Sequence, residues 1–222
     1  MRAAVAYASQ RRGTIAFAVR TRSGSWGWRQ AVSYRSASVV KAMLLAAYLN
    51  EPWVRGRALR HDELQLLGPM ILWSDNDAAS RVFAIVGTGG LRLIAYRSNM
   101  KHFTPVEGAW SVTGITAADQ SRFFLRLKRL FPRRHRHYAM HLLQSIIPGQ
   151  RWGIALVRPR SWKLYFKGGW TEEPRWIDHQ AALLIRGNHA VSIAILTEGS
   201  GSHGYGRETL RGIAARLLAG LG

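Results

Sequence analysis

Strand patterns open and close this chain, and helical patterns fill the space between. TIAFAVRT, from Thr14 to Thr21, alternates and is rich in β-branched and aromatic residues. SGSWG reads as a turn and WRQAVSYR as a second strand completing a hairpin. Three more strand patterns, KLYFKGGW, HQAALLIRG and HAVSIAILTEG, follow only after residue 160, and the GN of IRGNHAV fits a tight hairpin turn. A lone two-stranded hairpin is marginal in water, so the first strands need the last ones as partners. The expected fold is α+β. An antiparallel sheet built from both chain ends, flanked by helices, forms a three-layer α/β/α sandwich with a mainly helical lobe inserted. The expected boundaries are residues 1–45 plus 150–222 for the sheet domain and 46–149 for the helical one, with the active site between them.

The helical patterns are specific. A short one spans Ala3–Ala8, and another, dominated by Ala, Leu and Met, runs from Ser38 to Leu49 before Pro52. HDELQLLGPMILW, DAASRVFAIVG, GLRLIAYRSN and TAADQSRFFLRLKRLF fill the middle. Thr116 caps the last of these, with Asp119 three residues on. After the glycine-rich loop GSGSHGYG, ETLRGIAARLLAGL places Leu210, Ile213, Ala214 and Leu217 on one face.

Composition narrows the chemistry. With 222 residues, 47% hydrophobic, the chain can bury a sizeable core. It has no cysteine, which excludes disulfides, thiolate metal sites and cysteine nucleophiles. The formal net charge is +20, mostly from arginine, and such a surface attracts polyanions. No apolar run reaches the roughly 18–20 residues of a membrane span. MRAAVAYASQRRG is too short and interrupted for a secretory signal. His102, His135, His137 and His141 form no metal pattern, and His135 and His137 in RRHRH are expected to be solvated. No metal or cofactor is expected.

Within YRSASVVKAMLLAAYL, Ser38 and Lys41 lie three apart on one helical face. Ser38 would sit in the first turn, where free N–H groups and the positive dipole end favour an oxyanion. Lys41 can act as its base only if its pKa falls, as burial beside Val39, Val40, Met43 and Leu44, or a second cation, would make it do. The chain strongly prefers arginine, and arginine cannot be a base, so a lysine here carries information. Taken alone, the pair reads more readily as an exposed serine and a snorkelling lysine. Ser74-Asp75-Asn76 opens the next helical run, where all three residue types are also ordinary caps. Lys167 ends an alternating strand and precedes Gly168 and Gly169, and glycines there permit close backbone approach or simply a flexible turn.

The three motifs in this order, S-x-x-K, S-D-N and K-G-G, resemble the signature of the class A β-lactamases and penicillin-binding proteins. The resemblance extends over nearly the whole chain, through SDNDAASRVF, QRWGIAL and the strand-rich end. It implies a serine hydrolase that is acylated on Ser38 and hydrolyses β-lactam amide bonds. Lys41 would be the general base or proton relay, and Ser74 would pass the proton to the leaving nitrogen. Asn76 would hold the substrate's amide side chain. Lys167 would meet the substrate carboxylate and help keep Lys41 neutral. The N–H groups of Ser38 and Trp170 would form the oxyanion hole, with Gly168, Gly169 and Thr171 completing the substrate-binding strand. Asp178 matches a family position on the neighbouring strand, where a structural role serves as well.

Two departures stand out. The family usually has a hydroxyl residue where Gly168 stands, and Thr171 is the candidate replacement. The family's deacylating glutamate lies on a long loop that is shortened here to KHFTPVEGAWSVTGIT, with Glu107 its only carboxylate. If Glu107 is merely a solvated loop residue, a penicillin-binding or D-alanyl peptidase-like protein with slow deacylation results. The expected partners are a small-molecule β-lactam or a peptidoglycan-type peptide. An anionic cell-wall polymer is a further candidate, suggested by RRHRH and LRLKRLFPRR. The chain lacks the aromatic-and-basic motif of common nucleic-acid modules, so a basic binding protein on the same fold ranks lower. A secreted or cell-envelope location, with the signal removed, is the corresponding expectation.

Overall fold

The computed structural model describes residues 1–221. The opening helix α1 (Arg2–Ser9) leads into β1 (Thr14–Arg20), β2 (Ser25–Trp28) and a short β3 (Ser33–Arg35). Near the other end, β5 (Lys163–Thr171), β6 (Ile177–Arg186) and β7 (His189–Glu198) precede the last helix, α8 (His203–Leu218). One antiparallel sheet takes the order β2-β1-β7-β6-β5, so β1 pairs with β7 across the whole chain length. The α+β architecture built from both chain ends is therefore present. The β6–β7 turn falls at Gly187, whose φ of 55° suits glycine.

Both faces of the sheet are covered because β7 is apolar on both. Ser192 donates to the Ser121 carbonyl at 2.6 Å, which orients Ser192, Ala194 and Leu196 toward α5 (Ala117–Leu130). Ile193 and Ile195 point to the other side, where α8 and α1 pack. Thr116 caps α5 by accepting from the Asp119 N–H at 3.1 Å.

The middle of the chain is helical: α2 (Lys41–Leu49), α3 (His61–Leu72), α4 (Asn76–Arg97), and α6 (Arg136–Gln144) after α5. A short α7 (Ile154–Val157) precedes β5. Every residue of α2 is buried, as a helix apolar all round demands. The two patterns expected at 77–87 and 90–99 are α4, broken at Gly87 (φ 57°, ψ −171°). By length and apolarity alone α4 meets the requirement for crossing a membrane, but it is interrupted at this glycine and packs against α2 and α3.

Several local expectations are corrected. The SGSWG segment is not all turn, since Ser25–Trp28 is β2 and the reversal comes just before it. WRQAVSYR is not one strand. Arg29 takes a left-handed φ of 50°, and Ser33–Arg35 leaves to pair with β4 (Gly114–Thr116) in a separate two-stranded sheet. Helix α8 begins inside the glycine-rich loop, at His203, because Ser202 accepts from the Tyr205 N–H at 3.2 Å. His135 is buried rather than solvated, with its ring 3.1 Å from the Val54 carbonyl oxygen.

Candidate active site

Ser38 lies in a 3-10 turn, Ala37–Val40, that runs directly into α2. Ala37, just before it, has a left-handed φ of 43°, the kind of backbone tension that collects at functional positions. The turn is wedged against β5, an edge strand whose outer N–H and C=O groups have no strand partner. Gly169 makes this approach possible. A Cβ on it would stand 2.7 Å from the Ser38 nitrogen and 2.8 Å from the Val39 nitrogen. The K-G-G glycine therefore serves close approach, and Trp170 continues the same strand beside Ser38.

Lys41 opens α2 and is wholly buried, together with Val39, Val40, Met43 and Leu44. Its Nζ donates to the Ser74 carbonyl at 2.6 Å and to Asn76 Oδ1 at 2.7 Å, with Ser74 Oγ at 3.3 Å. Lys167 lies inside β5 rather than at its end, and is also 0% exposed. Its Nζ donates to Ser74 Oγ at 3.0 Å and to the Gly168 carbonyl at 2.9 Å. Ser74 Oγ thus touches both ammonium groups, and the residue holds a left-handed φ of 61° to do so. Asp75 caps α4 by accepting from the Ala78 N–H at 2.7 Å, so the S-D-N run both starts a helix and presents its flanking residues to the lysines.

No carboxylate is hydrogen-bonded or ion-paired to either lysine among the described residues. Burial pushes the Lys41 pKa down to about 8, partly opposed by the Asp75 charge. Burial pushes Lys167 well below the usual lysine value, and the neighbouring Lys41 charge adds to this. Two ammonium groups sharing one hydroxyl cannot both stay charged at little cost, so the pair titrates as a unit.

A cleft of about 720 Å³ opens in front of Ser38. Asn76, Glu107, Trp170 and Thr171 line it together with Ser38. Glu107 is its one lining carboxylate, exposed, with Oε2 accepting from Thr88 Oγ1 at 2.8 Å. Thr171 Oγ1 is buried with no hydrogen-bond partner. Gly168 stands against Trp152, since a Cβ there would lie 3.1 Å from the indole ring. Asp178, opposite Trp170 in the β5–β6 register, is buried and paired with His203 at 3.1 Å and Arg207 at 3.7 Å. Burial raises its pKa to about 6, against the opposing effect of its His203 and Arg207 partners.

Two tryptophans, Trp110 in the cleft lining and Trp152 packed against β5, were not singled out as site residues from the sequence. Trp110 sits 4.8 Å over Lys41, its ring centroid to Nζ, and donates to Ser80 Oγ at 3.1 Å. The only sequence signal was a tryptophan inside the shortened loop. Trp152 packs edge-on to Trp170 at 6.3 Å, and its only sequence signal was its place in QRWGIAL.

Comparison with known proteins places this geometry on a known scaffold. No family model matches the sequence, and no curated protein matches it. Solved structures do. A β-lactamase from Xanthomonas campestris pv. campestris superposes with a TM-score of 0.83 at 15% identity, covering 100% of this chain and 97% of that one. A β-lactamase from Sphaerobacter thermophilus gives 0.78 at 18% identity, over 98% and 95% of the two chains. An ancestral class A β-lactamase gives 0.79 at 14% identity, over 97% of each. This chain has the fold of the class A β-lactamases.

Proposed function

We propose that the protein is a β-lactamase-like serine hydrolase that forms an acyl-enzyme on Ser38, with a β-lactam or a D-alanyl peptide as substrate. The observation that carries this reading is Ser74 Oγ bridging the buried Lys41 and Lys167 amines, with Ser38, three residues before Lys41, lining the cleft. In the free protein the lysine pair holds one proton between its two amines, because burial lowers both pKa values, the Lys41 charge lowers Lys167 further, and Ser74 Oγ links them. A substrate carboxylate arriving near Lys167 and the unpartnered Thr171 hydroxyl favours a charged Lys167. The proton then moves across Ser74 Oγ, and Lys41 becomes neutral. Neutral Lys41 takes the Ser38 proton as Oγ attacks the carbonyl carbon. The oxyanion forms against the N–H groups of Ser38 and Trp170. The amide C–N bond breaks as Ser74 passes a proton to the leaving nitrogen, and the lysine pair reprotonates Ser74.

Release of the acyl group needs a water. Glu107 is the proposed base for it, being the carboxylate of this cleft. A second reading, a long-lived acyl-enzyme, is favoured by the indole of Trp110, rather than a carboxylate, over Lys41.

The test is intact-mass analysis after incubation with a panel of penicillins and cephalosporins. An adduct on the wild type that is lost in Ser38→Ala is expected. No adduct across the panel, or the same adduct on Ser38→Ala, refutes the assignment.

A further inference from the structure

Away from Ser38, two clefts of about 540 Å³ each share one wall on α5. The first is lined by six arginines: Arg55, Arg97, Arg126, Arg129, Arg133 and Arg136. The second continues past Arg126 and Arg129 to Lys128, Arg20, Arg22 and His189 on the strand ends. No Asp or Glu lines either cleft. None of these arginines, nor Lys128, is ion-paired to a carboxylate among the described residues. The chain has only 12 acids against 32 Lys and Arg, and the Arg122 and Arg126 charges act against Arg20 with Asp119 opposing them in part.

Several of these side chains are held in place. Arg97 Nη1 donates to Asn50 Oδ1 at 2.8 Å, and Arg20 Nε to Ser121 Oγ at 3.3 Å. The Nε of Arg136 is buried with no partner. Concave surfaces of one sign focus their field, and guanidinium forks match phosphate oxygens in pairs. A cluster of this kind is repulsive when empty and is relieved by an anion carrying several charges.

We propose that the double cleft on α5 binds a flexible, linear phosphate polymer, such as inorganic polyphosphate or a poly(glycerol phosphate) chain. Two features select this occupant. The lining forms two hollows joined at Arg126 and Arg129, a path that a bending chain of phosphates can follow from one to the other. No exposed Phe, Tyr or Trp side chain lines it, and His189 at one end is its only exposed ring, so the bases of single-stranded nucleic acid have little to stack on along its length. The site is separate from the Ser38 cleft, which shares no lining residue with it.

The experiment is fluorescence anisotropy with end-labelled linear polyphosphate and with labelled poly(glycerol phosphate), over a salt series. Labelled duplex DNA is measured at equal phosphate concentration. Arg126→Gln/Arg129→Gln is compared with Arg2→Gln/Arg160→Gln, which removes the same charge from exposed positions outside both clefts. Thermal melts by circular dichroism check that both variants fold. Binding of either phosphate polymer is expected to weaken at least about tenfold in the cleft variant and less than about threefold in the control. The log–log salt slope should drop by roughly 1.4, two contacts at about 0.7 each. Equal loss in both variants, tighter binding of duplex DNA, or no binding of either polymer at low salt overturns the proposal.

Discussion

Replacing Gly169 with alanine tests the tightest contact in the site. The added Cβ would meet three backbone atoms: the Ser38 nitrogen at 2.7 Å, the Val39 nitrogen at 2.8 Å and the Ser36 oxygen at 3.1 Å. None of them is a flexible side-chain end, so the 3-10 turn and β5 have to part. Restoring ordinary contact requires a retreat of about 0.7 Å, and misplacement of about 1 Å costs on the order of 100-fold in rate. Gly169→Ala should therefore lower the acylation rate by roughly 30- to 100-fold. Gly168→Ala is the internal control. Its Cβ meets the Trp152 ring at 3.1 and 3.2 Å, and a side chain can give a few tenths of an ångström. It should lose less than about fivefold, in keeping with a movable neighbour. The assay is the second-order acylation rate by time-resolved intact mass, with melting temperatures of both variants measured alongside. If Gly169→Ala acylates within about threefold of wild type while folded, the Ser38 turn does not depend on this contact, and the argument from close approach fails.

The other predictions concern protons and water. If the reactive pair carries one proton over Lys41 and Lys167, the acylation efficiency falls as pH rises through about 8, the value to which burial lowers Lys41. A rate that keeps climbing from pH 8 to 9.5 in the same assay would show that a neutral Lys41 suffices without a charged Lys167. Glu107→Gln should leave acylation within about threefold and lengthen the adduct lifetime at least about 100-fold, the lower end for one general base. An unchanged lifetime, read by mass after removal of excess β-lactam, would take Glu107 out of the hydrolytic step.

Much of the architecture was legible in the sequence. Alternating apolar segments confined to the two ends could bury themselves only by pairing with each other, and β1 does pair with β7. The Ala-, Leu- and Met-rich run after Lys41 marked a helix, and the structure shows α2 buried on every side. The S-D-N run could be placed at a helix start because it supplies a cap, whereas Ser38 falls in a 3-10 turn before α2 and Lys167 inside β5 rather than at its end. What sequence could not supply was anything set by contact between distant segments. That Ser74 Oγ reaches both ammonium groups, and that no carboxylate does, depends on how α2, α4 and β5 converge. The same is true of Trp110 over Lys41 and Trp152 behind Gly168. The break at Arg29 and the burial of His135 had no local signal either, since a left-handed residue and a satisfied core histidine are choices made by the surrounding packing. Local periodicity determines which elements form, because it is written in neighbouring residues. The protonation of the lysine pair belongs to the tertiary structure, because desolvation and charge proximity exist only after the chain has closed around them.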